Sequence, residues 1–321
     1  MLYDAVHTPN AVLRSILTRP RGSEGRLPAV LFVQGLDCST VERLPSGEPG
    51  LIGDLIYGLA SAGFVVMRTE RSGVGDSTGT PCRDIGLQDE VAGFVGALKK
   101  LKSYAFVDPQ RIFLFGHSAG GWVAPLVASS ESVRGIAVYG TVVRPFAEYL
   151  VENYRRNHRL RDHADPGQLE ENLREMTQFL HYLVVENKSA REIIALHPEL
   201  AGARKILFPS DDEHFYDLRS LRYLRELSGK DIARAWAQLD ASVLAMYGEY
   251  DIRTTAMDHE YIAEIVNSKH AGHGAWIQIP RMDHGFTLHS SLREAVAQEF
   301  KGTFGDQVLR ESVNWMQALG K

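Results

Sequence analysis

The sequence predicts an α/β fold: a mostly parallel central sheet flanked by helices, with a helical cap inserted into it. Three observations carry that prediction. Short apolar runs alternate with helical patterns from Pro28 to Tyr139, which is how strands joined by crossover helices read. The alternation then stops for roughly 100 residues, whereas a β-α-β unit needs only about 30. It resumes at Ser242 and runs on towards the C-terminus.

Taken in order, Val12–Leu17 alternates weakly and is read as a first strand, followed by a turn-rich connection at 19–25. Pro28–Val33 is apolar throughout, as befits a strand buried on both faces. Leu51, Ile52, Leu55, Ile56 and Leu59 stand at helical spacing, and Gly63 ends that helix. Phe64–Met67 is the next strand, and a glycine-rich loop leads from it to a helix over 85–101. Arg111–Phe115 and Arg134–Tyr139 are strands on either side of a small-residue helix over 121–129.

The inserted segment reads as helical. Asp165-Pro166 is an N-cap with proline at the first helical position, and Leu169, Leu173, Met176, Leu180 and Leu183 share one helix face. Ser189-x-x-Glu192 fits a capping box. Leu218, Leu221 and Leu224 predict a helix over 215–227. The boundaries follow: a core of 1–143 and 237–321, and a cap of 144–236. Beyond it come a strand at 242–247, a helix at 258–266 and a strand at 275–279. Two closing helices follow, the first with Leu292, Val296 and Phe300 on one face behind Ser291-x-x-Glu294.

Composition narrows the function classes. The chain has 321 residues, 44% hydrophobic and 23% charged, which is ordinary globular usage. A net charge of -5 gives no reason to expect nucleic acid or an anionic membrane surface. No apolar run approaches the ~20 residues that span a bilayer. Two cysteines, Cys38 and Cys82, are too few for a zinc site of their own, and no phosphate-binding or dinucleotide-binding glycine motif is present. The expectation is therefore no metal and no cofactor. Met1–Ala5 carries neither a charged nor an apolar leader pattern, so the reading is cytoplasmic; the alternative is an exported protein whose leader has been removed.

The chemistry centres on Gly116-His117-Ser118-Ala119-Gly120, a G-x-S-x-G between a strand and a helix. A serine on so sharp a turn is pushed out above the sheet, and the following helix points its N-terminal amides at the reacting atom. Serine at its ordinary pKa is a poor nucleophile and needs a base. In an open parallel sheet the partners lie just beyond strand C-termini. Asp251 follows the strand at 242–247, and His284 follows the strand at 275–279.

Here the chain resembles the α/β-hydrolase-fold serine hydrolases over nearly its whole length. The resemblance rests on the elbow, on Gly248-x-x-Asp251, on Asp283-His284-Gly285 and on Arg71-Ser72-Gly73-Val74-Gly75-Asp76-Ser77, which is similar to the Arg-Gly-x-Gly-x-Ser loop common there. Gln34-Gly35 stands where His-Gly is more frequent. The resemblance implies an α/β-hydrolase fold and the order Ser118, Asp251, His284 for nucleophile, acid and base. It implies that the N–H groups of Ala119 and Leu36 form the oxyanion hole. The implied activity is cleavage of a carboxylic ester or thioester of a small-molecule acyl substrate through an acyl-enzyme.

Competing assignments stay open at this point. Glu249 is an alternative acid. His117, His214, Phe215 and Tyr216 are candidate pocket residues, although aromatic residues there also suit a core. Arg71 and Asp76 are read as tying down their loop, Asp283 as a turn residue, and the basic cluster Arg155, Arg156, His158, Arg159 and Arg161 as a solvated helix face. A serine peptidase uses the same triad, with Glu148, Glu152 or Glu213 as candidate anchors for a peptide terminus; a non-catalytic relative is the third reading. In the implied fold Cys38 and Cys82 lie on loops leaving neighbouring strands, within reach of a disulfide, while a reducing cytoplasm favours two free thiols. The sequence carries no statement of oligomeric state.

Overall fold

The structure is a computed structural model and describes residues 1–42, 51–161 and 165–320. Among these, eight strands form the central sheet: β1 (Leu2–His7), β2 (Val12–Thr18), β3 (Leu27–Val33), β4 (Val65–Thr69), β5 (Val107–His117), β6 (Gly135–Tyr139), β9 (Ser242–Gly248) and β10 (Gly274–Ile279). Their spatial order is β1-β2-β4-β3-β5-β6-β9-β10. β1 and β2, and β2 and β4, pair antiparallel; from β4 to β10 the sheet is parallel.

Burial on both faces explains the uninterrupted apolar runs. On β5, Leu114 packs with Leu31 and Ile136 on one face, beneath α2 (Leu87–Ser103) and α3 (Gly120–Ser130). Phe113 and Phe115 point to the other face, against Phe32, Phe64 and the residues of α1 (Leu51–Ser61) and α12 (Gln307–Leu319). Each such side chain is fully buried, worth about 1.5–3 kcal/mol of transfer free energy, so a polar residue on either face of β5 would be costly.

Between β6 and β9 lie α4 (Phe146–Arg161), α5 (Pro166–Leu180), a π-turn at His181–Val185, α6 (Ala190–Leu196), a 3₁₀ turn at Pro198–Leu200 and α7 (Ala201–Leu207). After them come the two-stranded ribbon β7 (His214–Phe215) and β8 (Arg219–Ser220), then α8 (Leu221–Ser228) and α9 (Ile232–Ala237). The Asp165 cap accepts from Gly167 N–H, and the Ser189–Glu192 box is closed in both directions. α10 (Ala256–Asn267) and α11 (Leu292–Ala297) complete the elements.

Four readings are corrected. β1 was not foreseen: it is an edge strand, half exposed, with no apolar run to betray it. The helix expected over 215–227 begins only at Leu221, capped by Ser220; Tyr216 and Asp217 take left-handed backbone angles that no helix accommodates, and a hairpin stands in their place. α11 stops at Ala297, and Phe300, also left-handed, turns back to donate its N–H to Asp283. The disulfide does form: Cys38 and Cys82 are bonded, with Cα atoms 5.8 Å apart. It ties the loop after β3 to the loop after β4, against the expectation of free thiols.

Candidate active site

The site is built at the carboxyl ends of β3, β5, β6, β9 and β10. Ser118 follows β5 with a φ of 54°, a strained setting for a residue with a Cβ, of the order of 1–3 kcal/mol. Its N–H donates to Tyr139 O at 3.0 Å and its carbonyl accepts from Gly121 N–H at 2.9 Å. Gly120 is required by packing, since a Cβ there would sit 2.0 Å from Val33 O. The elbow is thus pressed between the ends of β3 and β6.

The loop after β9 holds Asp251, buried. Its Oδ1 accepts from the N–H groups of Arg253 (2.7 Å) and Thr254 (3.1 Å), and its Oδ2 from Thr254 Oγ1 (2.7 Å). Oδ2 also meets His284 Nδ1 at 2.9 Å. Burial alone would raise the Asp251 pKa, but the charge and hydrogen bond of His284 and the bonds from Thr254 and Arg253 outweigh it and hold the carboxyl far below its usual range. Glu249 is engaged elsewhere: its carboxylate accepts from Arg281 N–H at 2.7 Å on the surface, so Asp251, not Glu249, faces the histidine.

His284 is buried on the loop after β10, and Asp283 shapes that loop. The Asp283 carboxylate collects the N–H groups of Gly285, Thr287 and Phe300 and meets His289 Nε2 at 3.0 Å. It is a turn residue, as read from sequence, and also a hub that anchors a distant segment. His117 Nε2–H donates to His284 O at 2.8 Å; burial and the neighbouring His284 push the His117 pKa down to about 4, which keeps it neutral. Gly140, at φ 62°, lies under the pair, where a Cβ would come within 2.9 Å of His284 Nδ1 and 3.0 Å of Asp251 Oδ2. Ser118 is therefore one backbone bond from Tyr139 and the His284–Asp251 pair sits on the next residue. The Ser118 hydroxyl makes no hydrogen bond to His284 among the described residues, a spacing common before substrate binds.

The loop after β3 approaches from the other side. A Cβ on Gly35 would lie 3.4 Å from Ser118 Cβ. The N–H groups of Leu36 and Ala119 donate to no other described residue. Arg71, buried, holds this loop by donating to the carbonyls of Gln34 (3.2 Å), Gly35 and Asp37 (2.6 Å). Glu90 balances its charge at 2.7 Å and also receives Arg219 from the ribbon between β6 and β9. Asp76 pairs with Arg14 at 3.2 Å, away from the site.

A cavity of about 380 Å³ opens beside this loop, lined by Gln34, Gly35, His117, Gly285, Phe286 and Phe300 among others. Of the candidate pocket residues only His117 is on its wall. His214 bridges Asp84 (2.7 Å) and Asp211 (2.9 Å) instead. Phe215 is fully buried, edge-on to Phe146, which in turn meets Trp122 of α3 edge-on; Tyr216 packs beside Phe215. The basic cluster of α4 is more than a solvated face. Arg156 donates to the carbonyls of Ile252, Arg253 and Thr254, clasping the loop that carries Asp251. Glu152, a candidate peptide anchor, is paired with Arg144 and Arg156. Thr254, Glu90, Arg219 and Arg156 were thus missed as site supports. Only Thr254, three residues past the acid in a turn, left a local signal.

Among the described residues no cluster of ligating side chains can hold a metal, and no helix is long and apolar enough to cross a membrane.

Comparison with known proteins bears on the fold and the family. Residues 49–299, well over half of the chain, match the Alpha/beta hydrolase family. Esterase EstD of Thermotoga maritima is 23% identical over 301 residues, covering 94% of this chain and 64% of that protein; the chain thus spans a little under two thirds of that relative's length. Among solved structures, Est1E of Butyrivibrio proteoclasticus with ferulic acid bound superposes with a TM-score of 0.61 at 16% identity, over 98% of this chain and 99% of that one. A thermophilic esterase of Thermogutta terrifontis with malate bound gives 0.56 at 16% identity, over 100% of both.

Proposed function

The chain belongs to the alpha/beta hydrolase family, and from that premise we propose that it is a serine hydrolase that cleaves carboxylic esters through an acyl-enzyme. The observation that carries the reading is the convergence at Gly140: the Ser118 amide rests on Tyr139 O, and the His284–Asp251 pair rests on the adjoining residue. The esterase names of the relatives in sequence and structure support ester chemistry.

The roles follow from charge. Ser118 Oγ attacks the ester carbonyl carbon while His284 Nε2 takes its proton. Asp251, kept ionised by its four hydrogen bonds, holds Nδ1–H towards itself and stabilises the imidazolium that forms. The carbonyl oxygen gains negative charge and is met by the free N–H groups of Leu36 and Ala119. Collapse returns the proton from His284 to the leaving alcohol and leaves the acyl group on Ser118. Water then repeats the sequence and releases the acid. The segment 144–236 acts as a cap over these loops and governs access rather than chemistry.

A panel of p-nitrophenyl esters of increasing acyl length, run on wild type and Ser118→Ala, tests the proposal. The expected result is turnover by wild type and a loss of about 10⁴-fold or more in kcat for the variant. Equal rates in both proteins would overturn it.

A further inference from the structure

His259 stands on α10, fully buried and outside the triad, and its two ring nitrogens are spoken for. Nδ1 lies 2.8 Å from Thr255 O, and Nε2 lies 3.1 Å from Thr141 N. A carbonyl can only accept and an amide N–H can only donate, so the ring carries its proton on Nδ1 and offers the Nε2 lone pair to Thr141. A protonated ring would turn an N–H against the Thr141 N–H.

Thr141 ends a three-residue turn that meets the elbow, the first turn of α3 and the loops carrying Asp251 and His284. Tyr139 O receives the Ser118 N–H, and Tyr139 Oη–H donates to Asp283 O beside the base. Gly140 carries the His284–Asp251 pair. The Thr141 side chain is wedged against Gly121 in the first turn of α3, where a Cβ on the glycine would lie 2.2 Å from Thr141 Oγ1. No direct bond spans Ser118 Oγ and His284; the His117–His284 O bond ties the elbow to the base on one side, and this turn lies beneath both on the other. Its N-terminal half is held by sheet hydrogen bonds, including Gly140 N–H to Met246 O at 3.2 Å. Beyond the sheet the Thr141 N–H has His259 as its partner.

Resting on the serine-hydrolase reading above, we propose that His259 is a positioning residue: through its acceptor bond to Thr141 N–H it fixes the Tyr139–Thr141 turn and thereby the spacing of Ser118 from His284. The role requires the neutral ring. The charged and titratable groups around it are Asp251, Asp258 and His284, with Tyr247 at 5.5 Å between ring centres. Burial pushes the His259 pKa down, consistent with an acceptor that stays neutral while the enzyme works.

The test compares His259→Leu, which removes the acceptor, with His259→Gln, which keeps one, using p-nitrophenyl acetate and the rate of fluorophosphonate labelling of Ser118. A misplacement near 1 Å costs on the order of 100-fold, so His259→Leu should lose roughly 10- to 100-fold in kcat and in labelling rate, with KM little changed. His259→Gln should recover most of both. A folded His259→Leu with wild-type kcat, or a His259→Gln as impaired as the leucine variant, overturns the proposal. If His259→Leu does not unfold cooperatively, His259→Phe, which also removes the acceptor, takes its place, and a folded His259→Phe with wild-type kcat overturns the proposal. Failure of wild type to label at all would strike the serine-hydrolase reading instead.

Discussion

The loops at the carboxyl end of the sheet and the segment between β6 and β9 are held by different physics. In the loops, buried carboxylates gather backbone N–H groups: Asp251 takes two and Asp283 three, besides their side-chain partners. Such charge-assisted bonds are shorter than neutral ones and about twice as strong, and several on one carboxylate hold a loop's backbone together. The inserted segment meets the core through side chains instead. His214 reaches Asp84, Arg219 reaches Glu90, and Arg156 reaches the Ile252–Thr254 carbonyls. Aromatic rings fill the space between them, from Trp122 through Phe146 to Phe215. The loops are thus suited to hold the candidate site residues still, and the insert braces two of them, through Arg156 and through Arg219 with Glu90.

The sharpest way to break this comparison is to alter one atom in the rigid half. Asp251→Asn should preserve fold and thermal stability within a few degrees yet lower kcat by about 10⁴-fold, because the amide favours the wrong histidine tautomer. Glu249→Gln, on the adjoining surface, should remain within about twofold of wild type, as a surface change away from such features does. Steady-state kinetics on one activated ester separates them; the reverse order would reassign the acid.

A smaller effect is expected where the two halves are stitched. The Cys38–Cys82 bond closes a separation of 44 residues and anchors the loop carrying Leu36, beside Arg219 of the ribbon. Removing it in a Cys38→Ser/Cys82→Ser double variant should cost about 3–4 kcal/mol of stability by loop-closure entropy, read from urea unfolding. It should also lower kcat more than it raises KM, since the loop released is the one proposed to bind the oxyanion. A loss of stability with kcat intact would confine the disulfide to scaffolding.

The smallest effect is pH-dependent. Burial opposes charge on His214, but Asp84 and Asp211 outweigh it and raise its pKa, while Asp211, beside His214, is lowered to about 2. A raised histidine contributes stability that is complete below its unfolded value near 6.5 and disappears as pH climbs through the folded value. The lowered aspartate contributes above its unfolded value near 3.9 and loses that contribution as pH falls towards about 2. The clamp is therefore strongest in mildly acid solution. The Tm difference between wild type and His214→Gln should be largest there and close at alkaline pH; a difference independent of pH would remove the ion pair from the account.

The same contrast explains what could be read from sequence. The rigid half announces itself locally: apolar runs buried on both faces, an elbow compelled to use glycine, and Asp251 and His284 placed just past strands. The supports do not, because they join residues far apart. Glu90 and Arg219 are 129 positions from one another, and Arg156 acts on carbonyls 96 or more residues away. Nothing in α2 marks Glu90 as buried, since a carboxylate in a helix's first turn is expected on dipole grounds alone. The ribbon at 214–220 was hidden for another reason. Leu218 happens to fall at helical spacing from Leu221 and Leu224, and only the left-handed Tyr216 and Asp217 reveal that the chain turns before the helix starts.

The central claim is that Ser118 is a nucleophile activated by His284 and held by a rigid frame. Its most direct test is site mapping of a fluorophosphonate adduct by peptide mass spectrometry on wild type, with His284→Ala alongside. The account predicts a single adduct on Ser118 in wild type and its near absence in the variant. An adduct on any other residue, or full turnover by protein that carries none, would contradict it.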